Sequence, residues 1–504
     1  MLPSKSLTSR GYMIEKTGLT GDQIKHLEKV LTVRPVVPPS YAGTVSSFPV
    51  FLKSPTRYFL PPSWAITTYG PAVMDGRPVG APLPSCLSFR GDLRPHQTEA
   101  LAAFRAAGRN GLICLPCGYG KTFTGIAAAA EIGRCFLIVV HKEFLADQWS
   151  SELTRLLPGI RIGRIQGDKC DVGPGYDVSI AMIQTICSRS FPVGTFHRFG
   201  FALFDEVHHL AAEHFSQTLQ QIQCRCMLGL TATPTRADGL SKVFSWFLGP
   251  IVYQISSRPM DASVQAIALR YESDDPVYAT VPVDWKGQPI RARMINQIAD
   301  FAPRTAAILE WICPLIKEAG RKLLVLSDRR EHLVVLETGF KAAGLTDIGY
   351  YVGGMKQKDL DISATKHIIL GTFAMASEGM NIPTLNAVLL ATPKSAIEQS
   401  VGRILRLRPD ERTVQPLILD VVDAPFRECL GQWAKRRKFY KECGYTVKWA
   451  TTTKKSEADA AVPTELESNV LTFAEEYVHE ETAFAEGEAA AAAAGPFFVS
   501  EDAY

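Results

Sequence analysis

The sequence predicts an α/β protein with two tandem lobes, each organised around a doubly wound parallel sheet. From Leu93 onward, short apolar runs of strand length alternate with longer stretches of helical length, the pattern of such sheets. The chain has 504 residues, which is too long for one compact core. Hydrophobic residues make up 46% of the chain and charged residues 21%, so a fibrous or wholly disordered protein is excluded.

Changes in composition along the chain predict the domain boundaries. Residues 1–90 are rich in proline and aromatic residues, with extended runs broken by turns, and predict a small β-rich N-terminal accessory domain. Residues 91–255 form the first predicted lobe and residues 296–450 the second. The segment between them, 256–295, is polar and irregular in pattern and is predicted to be a linker.

Short apolar segments are the candidate strands of both lobes. Those of the first lobe are 111–115, 135–140, 178–181, 201–204 and 227–230. Those of the second lobe are 322–326, 348–352, 368–371, 387–390 and 415–421. The segment 239–255 is predicted to add a helix and a strand that close the first lobe.

Charge is distributed unevenly along the chain. The formal net charge is +3, yet residues 451–504 hold twelve acidic residues and two lysines, so the remainder is strongly basic. A basic body indicates a polyanion partner, and a solvated basic face would give the same charge. The acidic tail, 451–504, is predicted to be disordered.

The compartment is predicted to be intracellular. No apolar run approaches the roughly 18 residues that a membrane span needs, so no membrane partner is expected. The first residues are mostly polar and offer no apolar stretch for a secretory signal. Eleven cysteines, an odd number scattered through apolar segments, suit reduced thiols better than a disulfide framework.

A glycine-containing loop follows the first candidate strand of the first lobe. It contains Gly118 and Gly120, ends in Lys121 and Thr122, and precedes a helical segment. Glycines let backbone N–H groups approach phosphate oxygens, the lysine reaches the β and γ phosphates, and the threonine hydroxyl can bind Mg²⁺. Leu115 stands where the strict pattern has glycine, so the match is to the looser GxGKT form. The loop predicts a site for ATP and Mg²⁺.

Two acidic residues, Asp205 and Glu206, end the apolar strand 201–204. In a parallel sheet this end lies at the same edge as the phosphate loop. Asp205 can hold the metal together with Thr122, and Glu206 can act as the general base that polarises water, because phosphoryl transfer requires positioning and charge neutralisation.

Motif order then identifies a family. Asp205-Glu206-Val207-His208, Thr231-Ala232-Thr233-Pro234 and 399–406 resemble the DExH box, the TAT motif and the QxxGRxxR motif of superfamily 2 helicases. The resemblance extends from about Leu93 to Tyr445 and implies two RecA-like lobes. His208-His209-Leu210 and 324–330 look like the XPB-like and UvsW-like branch. The N-terminal run is similar to the first domain of the transcript-release helicases of poxviruses and other large DNA viruses.

The resemblance implies roles for further residues. ATP binding would involve Gln97, which would recognise adenine, and Gly379. Gln399 would orient the γ phosphate or water, and arginine fingers would come from Arg403 and Arg406. His208, Thr231 and Thr233 would couple the state of the bound ATP to the grip on the nucleic acid along which the protein moves. The strand-end loops, including Gln148-Trp149, would touch the nucleic-acid backbone, with the contacts made by His141, Lys142, Gln184, Thr185 and Thr372.

The resemblance does not decide which nucleic acid the protein moves along. DNA is the expected partner, with 3′ to 5′ movement, in viral transcription or repair, and an RNA polymerase or transcription complex as the protein partner. A viral protein would then reside in a cytoplasmic virus factory, the nucleus or the virion. An RNA helicase, and a non-unwinding translocase that pulls on duplex DNA to release transcripts, are the alternatives.

Overall fold

Parallel β-sheets covered by helices form the framework of the chain in the computed structural model. The structure describes residues 5–36, 46–116, 118–207, 212–232, 239–255, 260–378, 380, 382–407, 409–451 and 472–475. The chain divides into a first unit, Met1–Ser256, and a second unit, Ser257–Tyr504. Within the described residues, none of the helices has both the length and the apolar character needed to span a bilayer.

The N-terminal part of the first unit is built on a five-stranded sheet. Its elements are β1 (Lys5–Thr8), β2 (Gly11–Glu15), α1 (Gly21–Val30), β3 (Thr32–Val33), β4 (Phe48–Pro49), β5 (Leu52–Lys53), β6 (Arg57–Leu60), α2 (Pro62–Tyr69) and β7 (Met74–Asp75). The strand order is β5-β6-β2-β1-β7, with β3 and β4 paired separately. One hydrophobic cluster joins Tyr12 and Leu60 of this sheet to Leu112 and Phe204 of the following lobe. The N-terminal sheet therefore shares its core with the first lobe.

The rest of the first unit alternates strands and helices. Its elements are α3 (Pro95–Ala106), β8 (Asn110–Cys114), α4 (Lys121–Ile132), β9 (Phe136–Val140), α5 (Glu143–Leu156), β10 (Ile162–Gln166), β11 (Lys169–Cys170), β12 (Val178–Met182), α6 (Ile183–Ser188), β13 (Phe201–Phe204), α7 (Ala212–Gln221), β14 (Cys226–Thr231), α8 (Ser241–Leu248) and β15 (Ile251–Gln254). The sheet order is β11-β10-β12-β9-β13-β14-β8-β15, parallel except at β11. The predicted strands and the closing helix and strand are confirmed.

Alternating strand residues supply two cores, one on each face of this sheet. Ile138 of β9 and Leu203 of β13 belong to the cluster that includes the apolar faces of α3, α4 and α5. Val139 and Phe204, their immediate neighbours, belong to the cluster that includes α7 and α8. Because both faces are buried, the strands read as continuous apolar runs, and polar residues concentrate where the strands end.

The second unit repeats this architecture. Its elements are β16 (Gln265–Tyr271), α9 (Pro276–Ala279), α10 (Arg291–Asp300), α11 (Ala302–Ile316), β17 (Leu323–Ser327), α12 (Arg330–Ala342), β18 (Ile348–Tyr351), α13 (Gln357–Ala364), β19 (Ile368–Thr372), α14 (Phe373–Glu378), β20 (Ala387–Leu390), α15 (Glu398–Val401), β21 (Leu417–Asp423), α16 (Arg427–Glu442), β22 (Thr446–Thr451) and β23 (Thr472–Glu475). The sheet order is β18-β19-β17-β20-β21-β16-β22-β23, parallel except at β23. An α/β fold of two parallel-sheet lobes is therefore confirmed.

Two segments differ from the sequence prediction. The expected linker, 256–295, contains β16, which pairs with β21 on one side and β22 on the other. The polar residues that flank this strand lie on loops, and they make the whole segment read as irregular in the sequence. The sequence predicts a disordered tail, 451–504, but Thr472–Glu475 pairs antiparallel with β22. Beyond Thr451, the remainder of the tail lies outside the described residues.

Two buried ion pairs hold strand β21 of the second unit in place. The Arg304 guanidinium donates to the Asp423 carboxylate at 3.0 Å, and the Tyr278 hydroxyl donates to the same carboxylate at 2.6 Å. Arg436 donates to Asp420 at 2.8 Å from α16, and both side chains are buried. Such pairs persist in a core because each charge has its partner and further hydrogen bonds.

His332 makes the stability of the second unit depend on pH. Burial, with a smaller contribution from the Arg304 charge, lowers the pKa of His332 from 6.5 to about 3. The unfolded chain therefore binds a proton below pH 6.5 that the folded unit does not, so stability is present above pH 6.5 and is lost as pH falls toward 3. Between pH 6.5 and 5 we expect a loss of about 2 kcal/mol in the free energy of unfolding, at about 1.4 kcal/mol per pH unit.

Urea unfolding followed at pH 7 and pH 5 measures this loss. His332→Asn should reduce the difference between the two pH values, whereas His26→Asn, at an exposed position on α1, should leave it unchanged. An equal pH dependence in wild type and His332→Asn would contradict the assignment.

Candidate active site

The phosphate-loop residues join β8 to α4. Gly118 and Gly120 both have left-handed backbone conformations, with φ of 87° and 77°, and α4 begins at Lys121. A Cβ at Gly120 would lie 2.4 Å from the amide nitrogen of Gln97. Glycine is therefore required here both for its φ and for the close approach of a neighbouring side chain. Lys121 and Thr122 occupy the first turn of a twelve-residue helix, where backbone N–H groups attract anions.

Gly120→Ala is expected to weaken ATP binding by roughly tenfold or more, because the added Cβ would distort the loop. A distortion that costs about 1.4 kcal/mol is enough for a tenfold loss of affinity. Gly133→Ala is the matched control. Gly133 ends the same helix with φ of 66°, yet a Cβ there would meet nothing closer than 4.0 Å. Equilibrium binding of a fluorescent ATP analogue compares the two variants. Equal affinities would show that crowding at Gly120 does not matter.

Gln97 lies in the first turn of α3 and is only 3% exposed. Its side-chain oxygen accepts the Arg94 N–H at 2.9 Å. Its side-chain nitrogen donates to the carbonyls of Tyr119 and Gly120, at 3.3 and 3.4 Å. The Gln97 amide thus holds the phosphate loop against α3, a contact that motif reading alone did not indicate. Adenine recognition by Gln97 stays a prediction.

The acidic pair lies where β13 ends. Asp205 is 5% exposed, and its carboxylate accepts the Glu206 N–H at 3.0 Å and the Trp149 indole N–H at 2.7 Å. Glu206 pairs with Lys121, with 2.9 Å between Oε1 and Nζ. The structure therefore brings the phosphate-loop lysine together with the acidic pair, as the sequence predicts.

Glu206 adopts a left-handed backbone conformation, with φ of 47°. For a residue with a Cβ this conformation costs roughly 1–2 kcal/mol. Strain of this kind persists where the surrounding structure enforces it, and it concentrates at functional sites. The turn directs the Glu206 carboxylate toward Lys121, so the strain accompanies a specific placement of charge.

The electrostatics of the pair favour a cation. Burial, reinforced by the Glu206 charge, raises the pKa of Asp205 to about 6, while Lys121 opposes the shift. Carboxylate and hydroxyl oxygens are the ligands that Mg²⁺ prefers, and the donor set of Asp205 and Thr122 is of that kind. A buried, negatively charged pair beside a helix N-terminus therefore fits a nucleotide-bound Mg²⁺.

Trp149 is a site residue that sequence reasoning misplaced. The sequence predicts Gln148-Trp149 in a loop that touches nucleic acid, but both residues lie within α5, and Trp149 is 1% exposed. Leu145, Trp149 and Leu153 recur at intervals of four residues, which is the spacing of one helix face. That periodicity was the available signal for burial.

The predicted nucleic-acid contacts of the first unit lie at the carboxyl ends of adjacent strands. His141 and Lys142 follow β9, and Gln184 follows β12, with its side-chain nitrogen donating to the His141 carbonyl at 2.8 Å. Thr185 is buried, and its hydroxyl accepts the Gly167 N–H at 3.1 Å. Thr231 ends β14, where its carbonyl accepts the Leu115 N–H at 3.0 Å. All of these strands, with β13, belong to one sheet, so their carboxyl ends share the edge that carries Asp205.

In the second unit, Gln399 lies on the short helix α15, and Thr372 ends β19. Arg403 is 6% exposed and donates to the carbonyls of Ala376 and Met380, at 2.6 and 2.9 Å. Arg406 donates to the Met380 carbonyl at 2.7 Å. Both arginines thus contact the segment that follows α14. The predicted residues Gly379, His208 and Thr233 lie outside the described residues.

Comparisons with known proteins agree with this geometry. The family model described as "Type III restriction enzyme, res subunit" matches residues 90–236, which include the phosphate loop and the acidic pair. A relative from Acanthamoeba polyphaga mimivirus, named "Putative ATP-dependent RNA helicase L396", is 30% identical over 460 residues, covering 88% of this chain and 86% of its own. The chain belongs to the superfamily 2 helicases. It is accordingly an ATP-hydrolysing helicase or translocase, as its motifs predict.

Two further comparisons describe this helicase. The "DNA 3'-5' translocase XPB2" of Sulfurisphaera tokodaii is 34% identical over 187 residues, which is 36% of this chain and 38% of that protein. The solved structure "S. cerevisiae Dbp5 bound to RNA and ADP BeF3" is 12% identical, with a TM-score of 0.50, and covers 70% of this helicase and 89% of its own chain. The latter likeness concerns the fold alone.

Proposed function

We propose that this helicase couples hydrolysis of Mg²⁺-bound ATP to movement along DNA. The observation that carries the proposal is the Lys121–Glu206 pair beside buried Asp205, at the sheet edge that also presents His141 and Gln184. Because the ATP site and the nucleic-acid site share one edge of the sheet, binding or hydrolysis of ATP can alter the contacts with nucleic acid.

Each residue of the first unit has a defined task in this proposal. Backbone N–H groups of the loop containing Gly118 and Gly120 bind the phosphates, and Gln97 supports that loop. Thr122 and Asp205 would hold Mg²⁺, which when bound neutralises phosphate charge. Glu206 accepts a proton from the attacking water.

The Lys121–Glu206 pair suggests the order of events. With both groups paired at 2.9 Å, Lys121 occupies the carboxylate that must later accept a proton. A triphosphate attracts Lys121 more strongly than one carboxylate does, because it carries more negative charge. Nucleotide binding thereby draws the lysine away and leaves Glu206 available to water.

We assign the second unit a supporting role in turnover. Gln399 would orient water or the γ phosphate, and Arg403 and Arg406 would neutralise charge that develops in the transition state. In the present structure both arginines donate to backbone carbonyls, so acting as fingers requires them to exchange those acceptors.

Nucleic-acid contact is assigned to strand ends. His141, Lys142 and Gln184 of the first unit and Thr372 of the second offer donors to phosphate oxygens, and such contacts carry no base information. Thr185 supports this surface through Gly167, since its hydroxyl already accepts a hydrogen bond there. Little sequence preference is therefore expected.

DNA is favoured over RNA by the XPB2 relative, whose name specifies DNA and 3′ to 5′ movement. The mimivirus relative, whose name specifies RNA, makes an RNA helicase the second candidate. A viral setting in transcription or repair, with an RNA polymerase complex as partner, is part of the same proposal.

Matched single-stranded DNA, duplex DNA and RNA of one sequence test the proposal. We expect DNA to stimulate ATP hydrolysis more than RNA does, and a duplex with a 3′ single-stranded tail to be separated faster than one with a 5′ tail. Lys121→Ala protein supplies the background for both assays. Stimulation by RNA alone would overturn the DNA assignment, and stimulation by duplex DNA without strand separation would identify a non-unwinding translocase.

A further inference from the structure

The indole of Trp149 connects three parts of the first unit. It belongs to α5, and its N–H donates to Asp205 at 2.7 Å. Its six-membered ring packs on Gly125 of α4. The packing on α4 is tight, because a Cβ at Gly125 would lie 3.0 Å from Cη2 of the indole. Trp149 therefore lies between the helix that follows the phosphate loop and the acidic pair.

We infer that Trp149 is a positioning residue that fixes the Asp205 carboxylate for metal binding and links it to the nucleic-acid contacts at the start of α5. The inference rests on the proposed function, in which Asp205 binds Mg²⁺. An indole N–H only donates, so it favours the ionised carboxylate, which is the stronger acceptor, and it restricts the rotation of that group. Hydrogen bonds of this kind to a ligating carboxylate typically contribute 10- to 100-fold to metal affinity or activity.

The link to the track follows from the rigidity of α5. His141 and Lys142 immediately precede the helix, and Trp149 lies about two turns further along, on its buried face. A shift of the helix start on contact with a phosphate backbone moves the indole, and the indole moves Asp205. The same ring contacts α4, the helix that follows the phosphate loop. A movement of α4 would therefore also move the indole and, through it, Asp205.

A core role alone would predict something different. If Trp149 only filled space, Trp149→Phe would lower stability and leave metal binding unchanged in the folded protein. Trp433 provides the matched control, because it is equally buried, and its indole N–H has no hydrogen-bond partner within the described part of the chain. Trp433→Phe removes the same atoms without removing a hydrogen bond to Asp205.

Mn²⁺ binding measured by electron paramagnetic resonance, with a non-hydrolysable ATP analogue present, tests the inference in the full-length protein. We expect the Mn²⁺ dissociation constant of Trp149→Phe to rise by about 10- to 100-fold, with binding of the analogue in EDTA unchanged. Trp433→Phe should match the wild type. Addition of single-stranded DNA should shift Mn²⁺ affinity in the wild type and not in Trp149→Phe.

Unchanged Mn²⁺ affinity in folded Trp149→Phe overturns the inference, as does the same DNA-induced shift in both proteins. If Trp149→Phe does not fold, Gly125→Ala serves instead, because it keeps the indole and crowds it together with Leu203, whose Cδ1 would lie 2.5 Å from the new Cβ. Gly229→Ala is then the control, because it crowds Leu112 and Leu248 and not the indole. Weakened Mn²⁺ binding in Gly125→Ala then supports the inference, and wild-type affinity overturns it. Absence of nucleic-acid-stimulated ATP hydrolysis in the wild type would instead defeat the proposed function, which these binding data do not measure.

Discussion

Glu206→Gln is expected to reduce nucleic-acid-stimulated ATP hydrolysis by about 10²- to 10⁴-fold while ATP binding persists. Glutamine keeps the shape of the side chain and the same backbone conformation, but it cannot accept a proton from water. The change also removes the negative partner of Lys121, which lies 2.9 Å away, so ATP should bind at least as tightly as in the wild type. Single-turnover hydrolysis and equilibrium binding of a fluorescent ATP analogue separate the two effects.

Two further variants complete this comparison. Lys121→Ala should abolish hydrolysis and also weaken ATP binding, because the lysine contacts phosphate both in bound ATP and in the transition state. Glu131→Gln, on the same helix as Lys121 but paired with Arg105 at the surface, should hydrolyse ATP normally. A folded Glu206→Gln protein that hydrolyses ATP at nearly the parent rate would show that the base is another residue.

Arg403→Ala is expected to lower kcat by about 10³-fold or more, with ATP affinity largely retained. The loss follows because an arginine finger stabilises charge that appears only in the transition state. The structure adds a second effect, since Arg403 also donates to the carbonyls of Ala376 and Met380. Arg406 still donates to the Met380 carbonyl, but the Ala376 carbonyl loses its Arg403 donor. Loss of a buried hydrogen-bond donor costs about 1–3 kcal/mol, so the second unit should also unfold more easily.

Steady-state kinetics and urea unfolding of the same preparations distinguish these effects. Arg412→Lys is the control, because Arg412 is also largely buried and paired, with Asp261 at 2.6 Å, outside the predicted motif. Arg412→Lys should change stability without changing kcat. If Arg403→Ala loses ATP affinity and keeps its turnover rate, Arg403 is structural.

Much of the fold could be predicted because buried parallel strands leave a local signal. Phe136–Val140 is entirely apolar, since both faces of the sheet are covered. β16 escaped prediction because its partners β21 and β22 lie well over a hundred residues later, and no local pattern reports such pairing. The strand also contains alanines, which have low β propensity.

The motifs in the sequence predicted which residue types form the site, but not how neighbouring side chains support them. Lys121, Asp205 and Glu206 meet as expected, since strand ends bring distant motifs to one edge. Trp149 illustrates the limit, because a motif gives the segment while helix periodicity decides which side chain faces the core. Arg436 is similar, as it belongs to a run of four basic residues, and only the fold reveals that it pairs with buried Asp420.

The central position of β16 has a consequence for synthesis of the chain on the ribosome. The first unit has all the strands of its parallel sheet once β15 has emerged, because β15 pairs with β8, already made. β16 emerges next and must wait for β21 and β22 with both hydrogen-bonding edges unpaired. An apolar strand in that condition invites intermolecular pairing. Chains terminated before Leu417 are therefore expected to form insoluble aggregates, whereas those extending through Thr451 bury both edges of β16.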